Sequence, residues 1–270
     1  MRLGIVMIPT PLAGVPVIDR ALAIARQTES LGFSGLWVTD AFGRGRPTLD
    51  PLTLLGAIAA VTSRVELGTC VVQVPLRHPV EHAHRVETLN LISGGRLRFG
   101  VGSGSTKADF DAIGADFETR FKTLTASLAT MRATWRGEGP ITPWPASQGG
   151  PPVLLGAWRS RRWIDLAANE LKGWIGSGIY STPEDLEIGL KMYRAAGGER
   201  AVLANIFFDL RPEPQPAPVG ARSKISLYCP PAQARERLKR LADLGLDDAL
   251  LVCPFDAPEQ LEQARELWPT

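Results

Sequence analysis

The sequence is poor in the residues that would make several function classes easy to read. It holds only three cysteines, Cys70, Cys229 and Cys253, which lie far apart and form no CxxC pair. Neither a disulfide framework nor a zinc knuckle is expected, and a reducing, cytoplasmic setting fits. Of the three histidines, His82 and His84 stand two apart on a helical pattern and so face different ways, which argues against a metal site there. Neither sign of charge prevails: 30 Lys and Arg against 28 Asp and Glu leave +2. That balance does not build the basic face that nucleic-acid phosphates require. Long hydrophobic runs are missing too. The stretch Leu3 to Pro9 falls far short of the ~18 apolar residues of a membrane span and no cleavage signature follows it, so neither membrane insertion nor secretion is expected. No lysine occupies an apolar strand end, because Lys107 lies in a loop and Lys172 precedes its strand, which disfavours Schiff-base chemistry.

What is present is the composition of a folded core, with 44% hydrophobic and 21% charged residues over 270 positions. Eight β-rich runs alternate with helical patterns: Leu3 to Pro9, Gly35 to Asp40, Val65 to Val72, Arg96 to Val101, Val153 to Trp158, Gly173 to Ser177, Ala201 to Leu210 and Asp248 to Cys253. The first four begin about 30 residues apart, the size of a βαβ unit. Between them the helical faces read as Ile18, Ala21, Leu22 and Ala25, then Leu186, Leu190 and Tyr193, then Ala234, Leu238 and Leu241. Asp50-Pro51 and Thr182-Pro183 read as helix starts, Gly32 and Gly197 as helix stops. Eight such units spanning residues 1–270 as one domain predict a parallel (β/α)8 barrel, with a doubly wound open sheet as runner-up.

In a barrel the chemistry sits at the C-terminal strand ends and the loops beyond them. Two loops interrupt the rhythm. Gly137 to Pro152 falls on the opposite, stability face, where Trp144 is expected to pack, while Arg211 to Arg222, with four prolines, would overhang the mouth as a flap or serve as a spacer. Gly100-Val101-Gly102-Ser103-Gly104-Ser105-Thr106 is read as leaving the fourth strand with exposed N–H groups and hydroxyls, a cradle for an anion or planar ring, or else a tight turn. Trp158-Arg159-Ser160-Arg161-Arg162 reaches a helix N-terminus suited to a phosphate, or is an ordinary Ser160 N-cap; Gly176-Ser177-Gly178 on the next strand would close the same pocket.

The run Ser93-Gly94-Gly95-Arg96-Leu97-Arg98-Phe99-Gly100-Val101-Gly102-Ser103-Gly104 resembles the bacterial luciferase-like superfamily of flavin- and deazaflavin-dependent oxidoreductases. The resemblance extends through Trp37 to Asp40, Val65 to Thr69, His78-Pro79, Gly114, Arg120-Phe121 and Gly173-Trp174, and so covers nearly the whole chain. It implies a (β/α)8 barrel, usually homodimeric, with a non-prolyl cis bond at Cys70-Val71 against the central flavin ring. It further implies that Ser160 holds the cofactor phosphate, that Gly176 and Ser177 form a second wall, and that Trp158 and Trp174 lie near the ring or substrate. His78 and Gln73 are expected to line the pocket.

The chain departs from the family at one position: many relatives carry a histidine after the acid that ends strand two, and here Asp40 is followed by Ala41. Asp40 is left as the candidate catalytic residue, taking a proton or orienting a hydroxyl, with an N-cap or a partnership with Arg44 or Arg46 as the plainer role. The expected activity is a luciferase-like monooxygenase using reduced FMN and O2 on a small organic molecule. The alternatives are a deazaflavin (coenzyme F-420) hydride-transfer enzyme, a catalytically idle flavin-binding protein, and a barrel enzyme that uses Ser160 for a substrate phosphate. FMN is preferred because Ser105 stands where some deazaflavin relatives place an acid.

Overall fold

The computed structural model describes residues 1–42, 45, 47–157, 160–211 and 224–268. Along these the chain runs β1 (Arg2–Met7), α1 (Val17–Ser30), β2 (Gly35–Val38), α2 (Pro51–Ala59), β3 (Glu66–Thr69), β4 (Val72–Gln73), α3 (Pro79–Ile92), β5 (Leu97–Gly102), α4 (Lys107–Asp111) and α5 (Arg120–Trp135). It continues with β6 (Val153–Gly156), α6 (Arg161–Asn169), β7 (Gly173–Ser177), α7 (Pro183–Ala195), β8 (Ala201–Asp209), β9 (Ser226–Tyr228), α8 (Pro231–Asp243), β10 (Asp248–Val252) and α9 (Gln260–Glu266). Every ladder is parallel, and β10 pairs with both β1 and β8, so the sheet closes. An open doubly wound sheet would leave β1 or β10 unpaired on one side; the closed (β/α)8 barrel replaces that runner-up.

All eight runs read as strands are strands, with two refinements. The third is broken at a cis Cys70–Val71 bond into β3, which pairs with β2 and β5, and β4, which continues along β5 at Val72↔Val101 and Gln73↔Gly102. The three-residue β9 pairs alongside the end of β8 and has no sequence signal of its own.

Side-chain alternation along each strand divides the apolar core in two. Outward-facing strand residues pack against the helices, which contribute Leu186, Leu190 and Tyr193 of α7 and Ala234, Leu238 and Leu241 of α8. Of the face expected in α1, Ala21 and Ala25 are buried, together with Ile24 and Thr28, Leu22 is half-buried, and Ile18 is 41% exposed. The inward-facing cluster holds Val6, Trp37, Cys70, Leu154, Ile175, Val202, Phe207, Leu250 and Val252. Trp37 fills the barrel because Gly68 lies beside it: a Cβ at Gly68 would stand 2.1 Å from the indole. The N-terminal floor is ionic. Glu66 accepts from Arg98 Nε at 2.9 Å and Arg200 Nη2 at 2.6 Å, and Asp248 accepts from Arg200 Nε at 2.9 Å and Arg2 Nη2 at 3.0 Å.

Helix punctuation follows the sequence. Asp50 accepts from Thr53 N, Thr182 and Asp185 form a reciprocal capping box, and Gly32 and Gly197 adopt positive φ of 76° and 86°. Trp144 departs from expectation. Its backbone N–H and the Ser147 hydroxyl donate to the buried Glu87 carboxylate, which pins the loop to α3 and leaves the indole 64% exposed rather than packed. Of the expected flap, all but Arg211 falls in 212–223, outside the described residues. No helix among the described residues is long and apolar enough to cross a membrane.

Candidate active site at the barrel mouth

Above the filled interior, four half-buried side chains pack onto the inward cluster: Ile8 beyond β1, Val71 between β3 and β4, Ile179 beyond β7, and Tyr228 on β9. They form an apolar ring at the C-terminal strand ends. Its shape depends on missing side chains. A Cβ at Gly100 would stand 1.9 Å from Thr69 O, one at Gly102 2.6 Å from Val71 Cγ2, and one at Gly156 2.9 Å from Val71 Cγ1. The glycines of the 100–104 run also have a steric role. Gly100 and Gly102 are inside β5, where they admit the displaced 69–71 backbone, and Thr69 Oγ1 donates to Gly100 O at 2.7 Å. The loop proper starts at Ser103, which is half-buried. At Gly104 (φ 81°) a Cβ would meet Gln73 Oε1 at 2.7 Å and the Phe110 ring at 2.8 Å. Cys70 is buried at the centre, and burial pushes its thiol pKa up, so it stays a neutral thiol.

Asp40 stands at the mouth as expected. Arg44 and Arg46 lie outside the described residues; among the described residues the guanidinium that holds Asp40 is Arg77, through Nη1 to Oδ2 at 2.6 Å and Nη2 to Oδ1 at 3.0 Å. Gln73 N also donates to Oδ2 at 2.9 Å. Both carboxylate oxygens are engaged, and the side chain is 2% exposed. Arg77 reaches Asp50 at 3.6 Å as well. Burial opposes the charge on Arg77, yet the hydrogen bonds and charges of Asp40 and Asp50 outweigh it and hold the guanidinium pKa above its usual value. Gln73 Nε2 donates to the buried Asp109 at 2.8 Å, and Gln73 Oε1 is buried without a partner. Gln73 is thus a link within this network rather than an open lining residue, and His78 is exposed at the start of α3.

His82 is fully buried against Phe99 with both ring nitrogens unpartnered. Burial, seconded by the Arg77 charge, pushes its pKa down to about 3, so the ring is neutral. His84 is exposed on the other face of α3.

On the opposite rim, Ser160 occupies the N-cap of α6, and its hydroxyl makes no capping bond. The N-terminal N–H groups of a nine-residue helix and a hydroxyl with no partner among the described residues therefore lie at the same end of the barrel. Ser177 ends β7, where its Oγ accepts from Ile179 N at 3.3 Å and orients one member of the ring. Gly176 faces the other way: a Cβ there would meet Leu186 of α7 at 3.0 Å. Trp174 likewise lies outside the barrel, its Nε1 donating to Ala157 O and its ring beside Tyr193, a core position rather than a place at the mouth. Trp158 is outside the described residues. Arg77, Asp109, Tyr228, Asp209 and Arg211 were not foreseen. The position of Arg77 directly before His78-Pro79 was the one available hint.

The luciferase-like monooxygenase family model matches residues 1–244. An uncharacterized protein of Mycobacterium tuberculosis is 31% identical over 225 residues, covering 77% of this chain and 70% of that one. Among solved structures, monooxygenase RslO1 from Streptomyces bottropensis superposes with a TM-score of 0.82 at 19% identity, over 99% of this chain and 97% of its own. The coenzyme F420-dependent tetrahydromethanopterin reductase from Methanopyrus kandleri gives 0.76 at 17%, over 98% and 96%. The oxygenating constituent of 3,6-diketocamphane monooxygenase from Pseudomonas putida, solved with FMN, gives 0.77 at 16%, over 99% and 96%. At such identities the structural likeness speaks for the fold.

Proposed function

The chain belongs to the luciferase-like monooxygenase family, and from that premise we propose that it is a cytoplasmic, homodimeric flavin-dependent monooxygenase that uses reduced FMN and O2 on a small organic substrate. The observation that carries this reading is the half-buried apolar ring of Ile8, Val71, Ile179 and Tyr228 with the uncapped Ser160 at the rim of the same mouth. A planar, largely apolar ring system with a phosphate tail fits that pair of surfaces, the tail taking the α6 N–H groups and the Ser160 hydroxyl. Val71 and Cys70 would support the ring from below, with Gly102 and Ser103 beside it and the Gly176-Ser177 backbone closing the phosphate side. When bound, the flavin supplies the redox chemistry.

The protein supplies position and exclusion of water. The apolar ring keeps bulk solvent from the reacting face. Asp40, with both oxygens engaged by Arg77 and the Gln73 N–H, holds Gln73 and the strand-three end in place. Ser105 on the loop beyond β5, in place of an acid, favours FMN over the deazaflavin.

Fluorescence titration of the purified protein tests the reading. FMN emission is expected to quench saturably, with Ser160→Ala weakening binding about 10-fold through the lost charge-assisted hydrogen bond. Preferential binding of coenzyme F-420 would overturn the oxygenase reading in favour of hydride transfer, and binding of neither cofactor would overturn both.

A further inference from the structure

Away from the barrel mouth, on the outer helical layer, α5 and α6 frame a groove. The helical period of α5 turns Leu124, Leu128 and Met131 into the core and leaves Phe121, Ala126 and Ala129 exposed on the other side. α6 buries Ile164 and Ala167 and sets Arg162 and Trp163 along that exposed face. The small side chains of Ala126 and Ala129 leave a groove of about 600 Å3, which continues past Leu166 towards Asn169 for about 310 Å3 more.

One end of the groove is both aromatic and cationic. The Phe121 and Trp163 rings meet at 5.8 Å with 32° between their planes, and Phe121 is 41% exposed. Arg162 lies over the Trp163 ring at 5.1 Å, while Arg120 is held between rings, 3.7 Å from Phe117 and 4.3 Å from Phe121. Lys122 and Arg162 both line the groove, and neither has a carboxylate within ion-pair distance among the described residues. Of the lining residues at this end, Glu118 is the one acid. Arg162 also works against its own helix: it is a cation in the first turn of α6, where the dipole favours an anion and no acid stands.

We propose that this groove binds a planar aromatic anion, a bicyclic ring bearing one carboxylate, sulfonate or phosphate group, with the ring against Phe121 and Trp163 and the charge at Lys122 and Arg162. The two uncommitted cations flank the aromatic pair in sequence and in space, so a ring and a single anionic group are addressed together. An acidic peptide lying along the groove would need cations along its length. Those further along are already paired, Arg161 with Asp165 at 2.8 Å and Arg132 with Glu170 at 3.1 Å.

The probe is naphthalene-2-sulfonate, titrated into the full-length 15N-labelled protein while the tryptophan indole N–H resonances are followed, with 2-naphthalenemethanol as the uncharged comparison. The Trp163 resonance, assigned by its loss in Trp163→Phe, is expected to shift saturably, while that of Trp37, inside the barrel beneath the mouth, stays in place. The alcohol is expected to bind about 10-fold more weakly. Lys122→Gln and Arg162→Gln are each expected to weaken the sulfonate about 2- to 5-fold, the range for one ion pair at a solvent-facing site, and together about 10-fold. Glu118→Gln is expected to strengthen it about 2-fold by the same reasoning. Ala126→Leu fills the floor from an exposed helix position, and is expected to abolish the shift while leaving the melting temperature unchanged. A shift at Trp37 without one at Trp163, equal binding of the alcohol, an unaltered affinity in the Lys122→Gln/Arg162→Gln double variant, or no binding of the sulfonate would each overturn the proposal. The comparison of sulfonate with alcohol is made on the wild type and stands whether or not any variant folds.

Discussion

At Gly100 a single methyl group is the difference between a mouth that forms and one that does not. Its Cβ would stand 1.9 Å from Thr69 O and 2.8 Å from Ile175 Cδ1, so neither a backbone carbonyl nor a packed core side chain has room for it. Gly100→Ala is expected to destabilise the protein by about 3 kcal/mol, the upper range for overpacking, and to weaken FMN binding because the 69–71 segment must shift. Gly56→Ala serves as the control: nothing lies within 4 Å of its Cβ in α2, and the change should stabilise by up to about 1 kcal/mol. Urea denaturation of both variants reads the difference; equal midpoints would remove the steric account. The glycine run was legible as residues lacking side chains, but not as the room made for a neighbouring strand, since a glycine does not say what fills the space it leaves. Asp40 was legible as an acid at a strand end. Its partner was not, because Arg77 is 37 residues away and meets it only once β2 is laid against β3.

At the scale of elements, α1 is tied to the start of β3 by one side chain. Glu29, in the last turn of α1, accepts from the backbone N–H groups of Ser63 at 2.9 Å, Arg64 at 2.6 Å and Val65 at 3.1 Å. Partial burial raises its pKa, but these donors, aided by the Arg64 charge, outweigh it and hold the pKa at about 2 against 4.5 for the free group. The folded state thus binds this proton more weakly than the unfolded chain. The stabilisation is fully present above pH 4.5 and is lost as pH falls from there towards 2. With solvent screening at a half-exposed site, Glu29→Gln is expected to cost about 1 to 2 kcal/mol at pH 7 and much less at pH 2. Denaturation at the two pH values measures this, and a pH-independent cost would refute it. Helix starts and stops were readable from Asp50, Thr182, Gly32 and Gly197, because capping is a local bargain between neighbouring residues. The three-residue β9, which brings Tyr228 to the mouth, was not, because so short a strand has no periodicity to detect and exists only by pairing with β8.

For the molecule as a whole, closure brings distant parts of the chain into one charged floor. Arg200 on the edge of β8 bonds Glu66 of β3 across the barrel, 134 positions away in the chain, and Asp248 of β10. The two carboxylates are 16% and 1% exposed, so they depend on the arginine for neutralisation. Arg200→Ala is expected to cost about 3 kcal/mol, since it strands two buried acids, and to lower the melting temperature by about 6 to 12 °C by calorimetry. A change under 2 °C would show that Arg2 and Arg98 suffice without it.

The alternation of strand and helix, the caps and the (β/α)8 architecture followed from the sequence by itself, since periodicity, turn chemistry and the handedness of parallel connections act over short stretches or through topology alone. So did the placement of an acid at residue 40 and a serine at a helix start. Only the tertiary structure decided that Asp40 is clamped by Arg77, that Trp174 and Gly176 face the helices, and that Tyr228 joins Val71 in one ring. Those outcomes depend on which strands lie side by side and on their register, and a shift of one residue would turn each of these side chains to the other face of the sheet.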